Sequence, residues 1–214
     1  MSAAVLAAAL ATALSAGVLA LDLTTLSSAA LVGAVWVALA PLTAALADRP
    51  SRCALALLAV SIPQLALAVA VDRGAGASLE RLLPLALAAL LWTAALGACA
   101  TASALAGRGE RWLGAWSAFA SAGPLVALAL SAAGDGGEHW LPELLTRVSP
   151  LGMLVGAAPL GAHGAVGADV WTACLLPSAA LLVAARVAKV SLRRAASDER
   201  SHGATSGAEA RDGT

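Results

Sequence analysis

Long apolar stretches separated by short polar interruptions make up most of the chain. Five are nearly free of charge: Ser2–Leu21, Leu26–Ala47, Cys53–Val71, Leu82–Ala106 and Trp112–Ala133. A helix that crosses a hydrocarbon core of about 30 Å needs about 20 mostly apolar residues, and each run meets that length. A sixth, Val170–Val190, carries Arg186 and Lys189 in its last turns. Their long stems can reach the headgroups, so the span simply ends there. The interruptions are Asp22–Thr25, Asp48–Arg52, Asp72–Arg81, Gly107–Arg111 and Gly134–Asp169. All but the last are tight turns, which makes consecutive helices antiparallel neighbours. The pattern predicts an all-α, polytopic transmembrane helix bundle of six spans over residues 1–190, with a disordered cytoplasmic tail at 191–214.

The long interruption, Gly134–Asp169, is an exception in kind as well as length. It opens with Asp135, Glu138 and Glu143 and then turns apolar over Val148–Ala168, nearly long enough to span. That stretch holds Pro150, Pro159, His163 and glycines at 152, 156, 161, 164 and 167. Each glycine costs about 1 kcal/mol relative to alanine in a helix. Only Ala168 and Asp169 would remain to turn the chain before the sixth span. A short re-entrant or interfacial hairpin between spans five and six is therefore expected, and a seventh span is the rival. His139 with Glu138 and Glu143 matches no metal-ligand spacing.

Composition strengthens the membrane expectation. Of the 214 residues 60% are hydrophobic and only 12% charged, against about 25% charged in soluble domains, and mean hydropathy is +0.84. So little charge cannot cover a water-facing particle. The formal net charge of zero gives no case for nucleic acid. Asn and Tyr are absent, while Lys, Ile and Phe occur once each (Lys189, Ile62, Phe119). These residues share AT-rich codons, so a GC-rich genome and a bacterial inner membrane are expected. Cys53, Cys99 and Cys174 form no CxxC and read as free apolar thiols.

Orientation follows from the basic residues, which accumulate on the cytoplasmic side. The first run has no Lys or Arg ahead of it and is longer than a signal-peptide core, so it reads as an uncleaved span. With the N-terminus inside, ten of the 13 basic residues are cytoplasmic: Arg49, Arg52, Arg108, Arg111, Arg186, Lys189, Arg193, Arg194, Arg200 and Arg211. Arg73, Arg81 and Arg147 fall outside. Both termini are thus expected in the cytoplasm. Lys189, Arg193 and Arg194 would meet anionic headgroups as membrane-surface anchors. Trp112, Trp140 and Trp171 lie near span ends, whereas Trp36, Trp92 and Trp116 lie deeper and read as packing.

Gln64 is the candidate interhelical polar contact, since it is the one carboxamide near the centre of a span and an amide in lipid must find a partner. A hydroxyl on another helix, such as Thr93 or Ser121, is the expected partner. Pro41, Pro63, Pro124 and Pro177 interrupt spans, and Pro84 lies near the start of the fourth. No Asp, Glu, His, Lys or Arg lies near the middle of a span, which disfavours a self-contained proton-coupled carrier. No GxxxxGK[ST], HExxH or GxSxG motif occurs, and His139, His163 and His202 all lie outside the spans. No catalytic, cofactor-binding or metal-binding residue is expected.

Five closely spaced spans, an outer loop with broken apolar elements opening on Arg147-Val148-Ser149-Pro150-Leu151, and a last span ending in Ser191-Leu192-Arg193-Arg194 resemble the membrane subunit of ABC-2-type exporters. That resemblance implies a partner ATPase carried on a separate subunit, a homo- or hetero-dimer enclosing a path, and a loop between spans five and six that dips into the outer membrane face. The basic amphipathic helix that usually precedes the first span in that family has no counterpart in residues 1–21. Two functional classes follow. One is the membrane subunit of a transport (export) system, and the other is a non-transporting membrane scaffold or accessory protein.

Overall fold

The structure, a computed structural model, describes residues 3–21, 26–45, 50–105, 115–121, 125–126, 129, 149–156, 174–191 and 193. Every regular element among these residues is helical. The elements are α1 (Ala3–Ala20), α2 (Ser28–Ala45), α3 (Pro50–Gly74), α4 (Leu79–Leu105), a seven-residue α5 (Pro150–Gly156) and α6 (Cys174–Ser191). Residues 115–121 are also helical. Of the fifth predicted span only 115–121, 125–126 and 129 are described, and the hairpin region other than 149–156 and the tail beyond 193 lie outside the described residues.

Among the described residues three helices are long and apolar enough to cross a membrane: Ala56–Gly74, Leu79–Ala104 and Cys174–Ser191. The first two helices have 18 residues each. At 1.5 Å per residue they reach about 27 Å, just under a bilayer core of about 30 Å.

The helix ends have identifiable causes. Ser27 caps α2, its hydroxyl accepting the Ala30 N–H at 3.2 Å. At the end of α3 the Ala77 N–H donates to the Asp72 carbonyl and the Gly76 N–H to the Arg73 carbonyl, a Schellman closure. Gly76 takes a φ of +94°, which a side chain would resist. The Arg73 guanidinium donates to the Ala77 carbonyl and braces the same turn. This corrects the predicted loop Asp72–Arg81. Asp72 and Arg73 are the last turn of α3, Arg81 lies in the first turn of α4, and the turn itself takes only Ala75–Ser78. The charges suggested a loop, but a helix can carry them in its final turn.

The second helix is the hub, packing against α1, α3, α4 and α5. Its Val32, Trp36, Val37 and Ala40 are fully buried. Close approach to α4 depends on Gly33, where a Cβ would stand 2.7 Å from the Ala89 Cβ. The side chain of Leu154, from α5, fills the space beside it and is fully buried. The outside is apolar too: Leu6, Leu67 and Leu182 are 64%, 55% and 71% exposed. Helices that are apolar on all sides suit an exterior of lipid rather than water.

Pro41, Pro63 and Pro84 lie within α2, α3 and α4. Each removes the N–H that would bond four residues back, at Val37, Ala59 and Glu80 respectively.

Candidate functional site

The polar side chains of the described bundle converge on two places, one at a helix end and one at mid-helix. At the end, the Asp72 carboxylate is 2% exposed and meets the start of α2. It accepts the Ser27 hydroxyl at 2.6 Å, the Ser28 N–H at 2.8 Å and the Ala29 N–H at 3.0 Å. The first amides of a helix have no intrahelical partner and carry the positive end of its dipole, so a carboxylate there is doubly favoured. Asp72 thereby ties the end of α3 to the start of α2.

At mid-helix, the Trp36 indole N–H on α2 donates to Gln64 Oε1 on α3 at 3.0 Å. Gln64 Nε2 donates to Thr12 Oγ1 on α1 at 3.2 Å, and the Thr12 hydroxyl donates to the Ala8 carbonyl at 2.9 Å. One carboxamide thus joins three helices. Trp36 is fully buried, whereas Gln64 is half-buried and Thr12 exposed, so the relay runs from the core to the outer surface of the α1–α3 seam.

Two smaller polar contacts lie apart from these. Trp116 donates its indole N–H to Ser103 Oγ at 3.1 Å, and that hydroxyl donates to the Cys99 carbonyl. The Ser149 hydroxyl donates to the Ala120 carbonyl at 2.8 Å, while the Gly152 N–H donates back to Ser149 Oγ at 3.4 Å. Ser149 therefore caps α5, with Pro150 at the first helical position where its missing N–H costs nothing. Among the described residues the buried Trp92 indole N–H and Ser15 hydroxyl have no hydrogen-bond partner. Trp92 packs against Phe119 at 5.9 Å between ring centroids.

The expected hydroxyl partners of Gln64 are corrected. Thr93 and Ser121 donate to their own helix's carbonyls, Ala89 and Ser117. A hydroxyl inside a helix has an acceptor one turn back at no conformational cost. The deep Trp36 is a hydrogen-bond donor as well as packing, which is the part that sequence reasoning missed. Asp72 was missed altogether, because only the pairing of α3 with α2 brings it to Ser27. Lys189 and Arg193 are exposed at the end of α6, beside exposed Arg186. Arg194 lies outside the described residues, as do His139, His163 and His202. Cys99 and Cys174 are free and buried. Among the described residues no three His, Cys, Asp or Glu side chains stand together as a metal site.

No protein-family model, curated protein or solved structure matches the chain.

Proposed function

We propose that the chain is a multi-pass protein of the bacterial inner membrane and the membrane subunit of a transport (export) system. It would work with a separate ATPase and with a second membrane subunit enclosing the path. The observation that carries this reading is α5. Its Leu154 is fully buried beside Gly33 of α2. An apolar element of the predicted outer loop that lodges in the bundle suits the re-entrant element between spans five and six that the exporter resemblance implies. In this reading six spans place both termini in the cytoplasm. The exposed Arg186, Lys189 and Arg193 then lie at the inner headgroups.

Purification in mild detergent tests it. An ATPase should co-purify with the full-length chain and hydrolyse ATP in the complex. Recovery of the chain alone under every solubilisation condition would remove the exporter reading.

The second reading, a membrane scaffold or accessory protein, is favoured by how the buried polar groups are used. Asp72 and Gln64 both bond other helices of the same chain. Groups committed to holding helices together are not available to a passing substrate. An unchanged export phenotype on deletion of the gene, together with loss of another membrane complex, would favour this second reading.

A further inference from the structure

The Gln64 relay is incomplete in a way that points outside the chain. A carboxamide offers two N–H donors and two acceptor lone pairs. Gln64 spends one donor on Thr12 and one acceptor on Trp36. One N–H and one lone pair remain. The residue is half-buried and lies near the middle of Ala56–Gly74, and Thr12 beside it lies near the middle of α1. On the membrane-spanning reading both sit near mid-bilayer, where no water satisfies an amide and an unmade hydrogen bond is costly. The surrounding surface is open, with Ala9, Ala13, Ala16, Val60, Ile62 and Pro63 all exposed. Gly17 has no other part of the chain within 4 Å of where a Cβ would stand.

We infer that the α1–α3 seam is a self-association surface, covered by the same seam of a second copy, with the two Gln64 carboxamides paired at its centre. The chemistry selects this occupant. A carboxamide with one free donor and one free acceptor is complementary to itself. Two such groups related by a two-fold axis can exchange both bonds, as an isologous interface requires. Lipid chains offer neither a donor nor an acceptor. The small side chains of Ala9, Ala13 and Ala16 let a second helix approach closely enough for the amides to meet. The inference rests on the membrane-spanning reading but not on the export one, because the chain alone should associate.

The test is the monomer–dimer equilibrium of the full chain, without any ATPase, in detergent micelles and lipid vesicles of varied protein-to-lipid ratio. It is read by sedimentation and by energy transfer between labelled copies. The unmodified chain should dimerise. Gln64→Leu should weaken the dimer by roughly tenfold, the size expected for two interhelical hydrogen bonds in a membrane. Because Gln64 also bonds within the chain, Ala9→Phe provides a second variant. It adds bulk at an exposed position one turn from Thr12 and should abolish dimerisation while leaving the thermal transition unchanged. Leu182→Ala, exposed on α6, should leave the dimer intact. A chain that is monomeric at every ratio would overturn the inference. So would a dimer unaffected by both Gln64→Leu and Ala9→Phe, or association only with a different protein.

Discussion

Trp36 and Gln64, 28 positions apart, meet at mid-helix with the indole N–H 3.0 Å from the amide oxygen. The contact joins the fully buried centre of α2 to the partly open seam between α3 and α1. It makes the carboxamide a tie among helices before anything else.

Gln64→Leu should lower the stability of the bundle by about 1 kcal/mol, since two interhelical hydrogen bonds average about 0.6 kcal/mol each in membrane proteins. A double-mutant cycle with Trp36→Phe should return a coupling near 0.6 kcal/mol, and one with Thr93→Val should return none. Thermal unfolding in detergent measures both. A Gln64→Leu chain that loses an export phenotype while keeping its full thermal stability would instead place the amide on a substrate path.

Asp72→Ala should destabilise by about 2 kcal/mol, because it strips the Ser28 and Ala29 amides and the Ser27 hydroxyl of their acceptor. Asp72→Asn keeps one acceptor oxygen but turns the other into an NH2 that faces a donor, so it loses part of the clamp as well as the charge and should cost less than Asp72→Ala. Ser27→Ala should cost about 1 kcal/mol through the lost cap. Equal unfolding temperatures for Asp72→Ala and Asp72→Asn would refute the role of the carboxylate as an acceptor.

The two helix glycines at close contacts should respond with opposite signs. Gly33→Ala would place a methyl group 2.7 Å from the Ala89 Cβ, with backbone behind both. Forcing α2 and α4 apart should cost about 1–3 kcal/mol, and Ala89→Gly in the same chain should recover most of it. Gly97→Ala meets only the flexible tip of Leu57 at 3.1 Å. There the gain of about 1 kcal/mol in helix propensity should prevail.

The proposed six-span topology has a direct measurement. With Cys53, Cys99 and Cys174 replaced by Ala, His139→Cys should react with a membrane-impermeant maleimide in intact cells. Ser201→Cys should react only after the membrane is opened. Label at neither position before opening would instead support seven spans with the N-terminus outside.

Helix positions in the first half of the chain were legible because lipid and helix geometry impose one requirement, a long apolar run, that alanine and leucine declare openly. At the ends the structure describes, α1 stops one residue before the end of the predicted run Ser2–Leu21 and α2 starts two residues into Leu26–Ala47. The third and fourth helices are longer than their apolar runs because capped ends tolerate charge, as at Arg73 and Glu80. Gln64 stood out in the sequence as a polar residue in an apolar run. Its partners did not, because every span contains some hydroxyl or indole at a plausible depth. Only the packing of α3 against both α1 and α2 selects Thr12 and Trp36. Asp72 gave no signal of its own, for a carboxylate next to an arginine and a glycine reads as a solvated turn.

The carboxylate clamp also has a timing. Asp72 follows Ser27 by 45 residues, so at 5–20 residues per second the ribosome makes the start of α2 about 2–9 seconds before its acceptor exists. During that interval the amino end of α2 has only Ser27 and whatever surrounds the nascent chain. The hairpin of α1 and α2 is therefore the least secured part of the bundle while it is being made. Its N-terminal half reaches a locked state only when α3 has been delivered in full, charge included. Insertion of this protein is in that sense a three-helix event, and a chain truncated before position 72 would lack the clamp that closes it.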